Sequence, residues 1–295
     1  MLDLLQDLTE FDRYTIGSGR RTVSLMRKTW FITGASSGFG RALAEEVIGR
    51  GERVLAAARN VEALDELVAV APDRVVAVPL DVRSAAALTA AVASAGDIDV
   101  LVNNAGYSMV GALEETSDEA LRDLMETMFF GPVTLSRAVL PGMRARRTGT
   151  IVQITSMGGL VTSPGFGPYC AAKHGLEAIS EALAKEVEPF GVRVLIVEPG
   201  AFRTSLFGAA FRSMPELDVY AASVGPSRAY VAGSHGAQAG DPVKAARAIA
   251  DAVAAGVPNL RLPLGADAVA GIRAKLALVA ADVDATEAIA VGASR

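Results

Sequence analysis

From Thr29 onward, short continuous apolar runs alternate with longer stretches of helical periodicity. Runs at Thr29–Thr33, Arg53–Ala57, Val75–Pro79, Val100–Asn103, Thr150–Ile154, Arg193–Glu198 and Leu260–Leu264 predict about seven strands. They are apolar throughout rather than alternating, as strands covered on both faces must be. Helical patterns lie between them, among them Arg41–Arg50, Ala85–Ala95, a stretch from Asp118 to about Arg146, and Pro168–Glu188. Strands that alternate with helices run parallel and are joined by right-handed crossovers. The expected architecture is therefore α/β: a single doubly wound parallel sheet with helices on both faces, spanning residues 26–295.

Two segments depart from this rhythm. Residues 1–25 read as a loosely ordered extension, with Met26 as a candidate start; Leu4, Leu5, Leu8 and Phe11 allow an amphipathic docking helix as the alternative. Residues 202–240 carry Phe202, Phe207, Phe211 and Tyr220, then a Gly/Ser-rich stretch read as loop. A connection that long, placed after a strand end, predicts a substrate lid.

Composition narrows the class of partner. A formal charge of −5 with no basic stripe argues against nucleic acid. The single Cys170 cannot close an internal disulfide, and His174 and His235 belong to no metal-ligand cluster. No apolar run reaches the length of a bilayer span, and acidic Asp3, Asp7 and Glu10 replace the basic start of a secretory signal. The expected location is the cytoplasm.

The first predicted strand runs into "TGASSGFG", with Gly34, Gly38 and Gly40 ahead of a predicted helix. Such a turn lets the backbone approach a pyrophosphate, and the helix N-terminus behind it favours negative charge. Further along stand "LDV" at Leu80–Val82, "NNAG" at Asn103–Gly106, Ser156 ahead of "YCAAK" at Tyr169–Lys173, and "EPG" at Glu198–Gly200. Each is modest alone; five in this order resemble the short-chain dehydrogenase/reductase family, with its Rossmann fold, over about Arg27 to the C-terminal end.

The resemblance implies a nicotinamide cofactor and assigns its contacts. Gly34, Ser36, Ser37, Phe39 and Gly40 would surround the phosphates, Asp81 and Val82 the adenine, and Asn104, Ala105 and Gly106 would line the cofactor. Pro199 and Gly200 lead to Thr204, which would bond the nicotinamide carboxamide. For the asparagines, a role in holding the sheet together is an open alternative. Cofactor choice is read from charge: the second strand ends in Ala58 and Arg59, where an NAD enzyme usually carries a carboxylate for the ribose hydroxyl. A guanidinium there binds a 2′-phosphate at about 1.5–3 kcal/mol, so NADP(H) is expected over NAD(H).

Tyr169 and Lys173 stand four apart on a predicted helix and share a face. A nearby ammonium is expected to pull the phenol down from its ordinary pKa of about 10. Ser156 would hydrogen-bond the substrate oxygen, Tyr169 would transfer the proton, and Lys173, by resemblance, would also bond the nicotinamide ribose. Cys170 reads as a buried small residue, His174 as lying on another helix face, and His235 as a solvated loop residue.

One position breaks the family pattern. Met128, in "METMFFG", stands where members usually carry an asparagine that stabilises a water linking the lysine to solvent. The expected function is NADP(H)-dependent hydride transfer on a small carbonyl or alcohol substrate; the alternatives are a catalytically weak redox sensor and a structural interaction protein. A homodimer or homotetramer built on the long helices is implied by the resemblance.

Overall fold

The computed structural model describes residues 27–256 and 260–293; the expected N-terminal extension lies outside the described residues. The seven expected strands form one parallel sheet. They are β1 (Thr29–Thr33), β2 (Arg53–Ala58), β3 (Val75–Pro79), β4 (Val100–Asn103), β6 (Gly149–Ile154), β7 (Val192–Pro199) and β9 (Arg261–Leu264). Their spatial order is β3-β2-β1-β4-β6-β7-β9, so the order reverses between β1 and β4. A crevice opens beyond the strand ends at such a reversal. Two three-residue strands, β5 (Ser108–Val110) and β8 (Phe211–Ser213), pair in parallel beside it.

Side-chain alternation divides each strand between two cores. Trp30 and Ile32 of β1 join the layer containing Leu43, Val47 and Ile48 of helix α1 (Gly38–Gly49) and Ile249 and Val253 of helix α8 (Pro242–Ala255). Phe31, between them, faces the opposite layer with Leu88 of α3 (Ala85–Ala95), Leu135, Val139 and Met143 of α5 (Gly131–Arg146), and Leu183 of α6 (Gly167–Val187). Both faces are thereby dry, which is why the strands read as unbroken apolar runs.

The helices begin where the sequence supplies caps. Ser84 accepts from the Ala87 amide ahead of α3; Asp241 accepts from Val243 and Lys244 ahead of α8, with Pro242 in its first turn. The expected stretch from Asp118 to Arg146 is not uniform. Helix α4 (Asp118–Met125) passes through a π turn at Glu126–Phe130 into α5. Single π turns recur at functional sites, and this one contains Met128.

The segment read as a Gly/Ser-rich loop is corrected. Residues Ala221–Ser234 form helix α7 despite Gly225 and Pro226. Tertiary contacts override its poor local propensity. Val224 and Val231 are buried, the Ser227 hydroxyl donates to the Pro164 carbonyl, and Arg228 pairs with buried Glu115 at 2.6 Å. Glu115 also accepts the amides of Ala112 at 2.7 Å and Leu217 at 2.8 Å, tying this segment to the body of the molecule. Glu115→Ala is expected to expose residues 202–240 to limited proteolysis while the sheet stays intact by circular dichroism. Unchanged cleavage would show that other contacts hold the segment.

Candidate active site

A cavity of about 470 Å³ occupies the crevice where the sheet order reverses. The turn after β1 forms its floor. Gly34 and Gly38 adopt left-handed φ values of +66° and +56°, which side-chain-bearing residues rarely tolerate. Gly40 does not line the cavity; a Cβ there would collide with the Gly34 carbonyl and the Asn104 carboxamide. Its smallness lets α1 start directly behind the turn. Ser37 makes no side-chain capping bond to α1, so the first amides of that helix face the cavity uncapped. An uncapped helix N-terminus behind a glycine turn fits the pyrophosphate of a dinucleotide.

The asparagines hold the frame, the open alternative of the sequence reading. Asn104 donates to the carbonyls of Thr33 at 2.8 Å and Gly34 at 3.3 Å. The Thr33 hydroxyl accepts the amides of Asn104 and Ala105. Asn103 is buried and donates to Gln153 at 2.9 Å, linking β4 to β6.

Ser36, Ser37, Phe39, Arg59, Asp81, Val82, Asn104, Ala105 and Gly106 all line the cavity. Arg59 is exposed and makes no ion pair among the described residues. The Asp81 carboxylate, by contrast, is held by Arg83 at 2.6 Å, and that bond keeps its pKa below the ordinary range. Arg83 also reaches Asp123 at 2.6 Å, and Asp123 in turn accepts from Arg212 of β8 and the Tyr107 hydroxyl, both at 2.8 Å. One acid thus joins the Asp81 side of the crevice to β8 in residues 202–240.

Ser156, Tyr169, Lys173, Pro199, Gly200 and Thr204 line the same cavity, with Leu206, Phe207 and Phe211 from the expected lid. Phe202 packs edge-on against Phe39, and Phe207 against Phe211 and Tyr230. Ser156, two residues past the end of β6, is in extended backbone and accepts the Gly158 amide at 2.9 Å. Tyr169 and Lys173, on the first turns of α6, are 8% and 4% exposed.

The expected depression of the Tyr169 pKa is corrected. Burial pushes the phenol up to about 12, against a partial pull from the Ser156 hydroxyl. The Lys173 ammonium donates to the Ile154 carbonyl at 2.7 Å, and burial lowers its pKa to about 8 while Glu177 opposes the shift. Tyr169 at neutral pH is a proton donor.

Met128 is 2% exposed, lines the cavity and sits against Gly106. Cys170 is buried, with its thiol pushed up by burial, and His174 turns its Nδ1 to the Cys170 carbonyl. His235 is exposed against Gly208. The sequence reading missed Tyr107, Asp123 and Arg212. Their one advance signal is that Arg83 follows Asp81 with no strand or helix to bury it.

Comparison with known proteins decides the family. The short chain dehydrogenase family model matches residues 28–215. The chain belongs to the short-chain dehydrogenases. This short-chain dehydrogenase is 37% identical to oxidoreductase BOA17 of Botryotinia fuckeliana over 83% of its own length and 91% of the relative's. A crystal structure of a short-chain dehydrogenase from Streptomyces avermitilis matches at TM-score 0.86 and 49% identity, covering 92% of this chain and all of that one. A Burkholderia cenocepacia short chain dehydrogenase solved with NADP matches at TM-score 0.68 and 27% identity, over 89% and 96% of the two chains. Another solved neighbour, 24% identical, holds NAD. The chain is thus an oxidoreductase of this family. Among its described residues no helix is long and apolar enough to cross a membrane.

Lys173 gives the site a pH signature. Its folded pKa of about 8 lies below its ordinary 10.5. Below about 8 both states hold the proton, and the folded state bears the whole cost of burying it. Between those values the unfolded chain binds more protons, so stability rises with pH. The thermal midpoint of the wild type should therefore gain on that of Lys173→Met as pH goes from about 8 to about 10. A constant difference in scanning calorimetry would show that the buried ammonium carries no such cost.

Proposed function

We propose that this short-chain dehydrogenase is an NADP(H)-dependent oxidoreductase acting reversibly on a ketone, aldehyde or secondary alcohol, mainly as a carbonyl reductase. The observation that carries the reading is that Ser156, Tyr169 and Lys173 line one cavity with the glycine turn and Arg59.

A bound nicotinamide supplies or accepts the hydride. The chain's own groups manage the oxygen and its proton. Ser156 donates a hydrogen bond to the substrate oxygen, where negative charge grows as the carbonyl is reduced. Tyr169 gives that oxygen its proton, and its high pKa keeps it protonated for the task. Lys173 lies one helical turn away and stabilises the phenolate left behind. The uncapped start of α1 receives the pyrophosphate, and Arg59 the 2′-phosphate. Leu206, Phe207 and Phe211 give the substrate end an apolar wall, so residues 202–240 serve as the lid over a hydrophobic carbonyl compound. A homodimer or homotetramer residing in the cytoplasm completes the reading.

Met128 favours a second one. A thioether is a weak acceptor and cannot donate, so the usual water beside the lysine loses a partner. A protein that binds NADP(H) but turns over slowly would report cofactor redox state. Steady-state assay against a ketone and alcohol panel separates the two. An enzyme loses about 10²–10⁴-fold in kcat on Tyr169→Phe, whereas a sensor shows no turnover to lose. Met128→Asn should keep or raise the enzyme's rate.

Cofactor choice is tested by titrating NADPH and NADH fluorescence. NADPH should bind tighter, and Arg59→Ala should weaken it about ten- to a hundredfold, the equivalent of ~1.5–3 kcal/mol, leaving NADH unchanged. Tighter binding of NADH by the wild type would overturn the NADP(H) assignment.

A further inference from the structure

Helix α6 carries ionisable side chains at four-residue intervals: Tyr169, Lys173, Glu177 and Glu181. Residues so spaced neighbour one another along one face. The first three are 8%, 4% and 2% exposed, while the Glu181 side chain is about half exposed. The stripe therefore leads from the cavity to the surface. Beside it, Glu198 at the end of β7 is fully buried, and Arg261 of β9 reaches across to all three acids. It bonds Glu177 at 2.6 Å and also pairs with Glu198 and Glu181.

This cluster is short of hydrogen-bond donors. Two buried carboxyl groups share one guanidinium, and among the described residues no donor reaches Oε1 of Glu177 or Oε2 of Glu198. Space has been left for the first: a Cβ on Gly159, in the turn that Ser156 begins, would overlap Glu177 Oε1. Glu198 lies within hydrogen-bond reach of Glu177, a contact two carboxyl groups make only when one of them keeps its proton. Other charged groups nearby are accounted for. Lys173 and Glu181 face the pair from α6 and Arg261 from β9; Asp267 of α9 (Ala266–Gly292) is committed to the Ala201 amide at 2.7 Å.

We propose that Glu177 and Glu198 are positioning residues forming a proton reservoir that recharges Lys173, and through it Tyr169, filling the role that Met128 leaves open. The inference rests on the carbonyl-reductase reading. In each reductive cycle the Tyr169 O–H bond breaks as the product O–H bond forms. The phenolate then takes a proton from the Lys173 ammonium, and the resulting amine takes the one held by the acid pair. The pair refills from solvent where Arg261 and Glu181 meet the surface. No electron changes hands in this relay. Affinities for the proton rise along the path: Glu198 is pushed up to about 7 by burial and by the Glu177 charge against the pull of Arg261, Lys173 lies at about 8, and Tyr169 at about 12.

The test measures kcat for reduction with saturating NADPH and substrate from about pH 5.5 to 9, in the full chain. Wild-type kcat should fall as pH rises through about 7, where the pair loses its proton. Glu198→Gln and Glu177→Gln should each lose about tenfold in kcat with KM unchanged, lose that bend, and regain rate as imidazole buffer is added. Arg261→Met should move the bend to higher pH. A bend near pH 7 that persists in both glutamine variants overturns the proposal, as does a loss of rate that no buffer restores; a bend near pH 8 belongs to Lys173 and remains in every variant.

A turnover-free arm keeps the two readings apart. The carbonyl stretch of a protonated carboxylic acid should disappear from the wild-type infrared spectrum as pH passes about 7, and be missing throughout in Glu198→Gln. A wild type without that band overturns the shared proton, even if a glutamine variant does not fold. A band in a protein that reduces no carbonyl compound overturns the enzyme reading and the relay with it, and leaves the shared proton standing.

Discussion

The Asn104 carboxamide donates to the backbone carbonyls of Thr33 and Gly34 across the crevice where the sheet order reverses. Those bonds fix the end of β4 to the end of β1, and nearly everything at the cavity follows from them. With Gly34 held, the chain turns at Gly38, and Gly40 lets α1 begin close behind it. The uncapped helix end then points into the space between the two strands. On the far side, Asn103 and Gln153 carry the same brace from β4 to β6, whose end positions Ser156. The glycine turn and the Ser156 hydroxyl, over a hundred residues apart in sequence, are thus set by one line of amide hydrogen bonds.

Much of this was legible in the sequence, and the reasons are specific. The runs Thr29–Thr33 and Val100–Asn103 match strands to the residue because they are buried throughout, and Val75–Pro79 matches although it is the edge strand, with Val76 exposed. The motifs found the cavity because each sits at a strand end or helix start. What escaped depends on partners far away in the chain. Helix α7 owes its existence to Glu115 and Pro164, and β5 and β8 are each too short to carry a period. The pKa expectation for Tyr169 took account of the neighbouring ammonium and left out burial, which dominates here. Glu198 stood out only as the first residue of the EPG motif and Glu177 showed no signal of its own, since only folding brings β7, β9 and α6 together around Arg261.

The cavity is also more connected than its motifs suggest. Asp123 receives Arg83 from beside Asp81 and Arg212 from β8. Arg212 lies flat on the Tyr107 ring, 4.0 Å from its centre. Phe39, in the turn at the start of α1, touches Phe202 of the covering segment. The two halves of the crevice are joined by side chains as well as by the sheet.

The π turn at Glu126–Phe130 has a consequence for how this protein can change over time. Such a turn is a helix with one residue too many, and losing a residue there would restore regular winding rather than break it. The extra residue is taken up inside the turn, so its loss would leave α4 and α5 in their present register and act on the turn's own side chains, Met128 among them. Asp123, outside the turn, would keep both arginines. A single deletion would thus reshape the cavity wall beside Gly106 while leaving the sheet and the Asp123 bonds untouched.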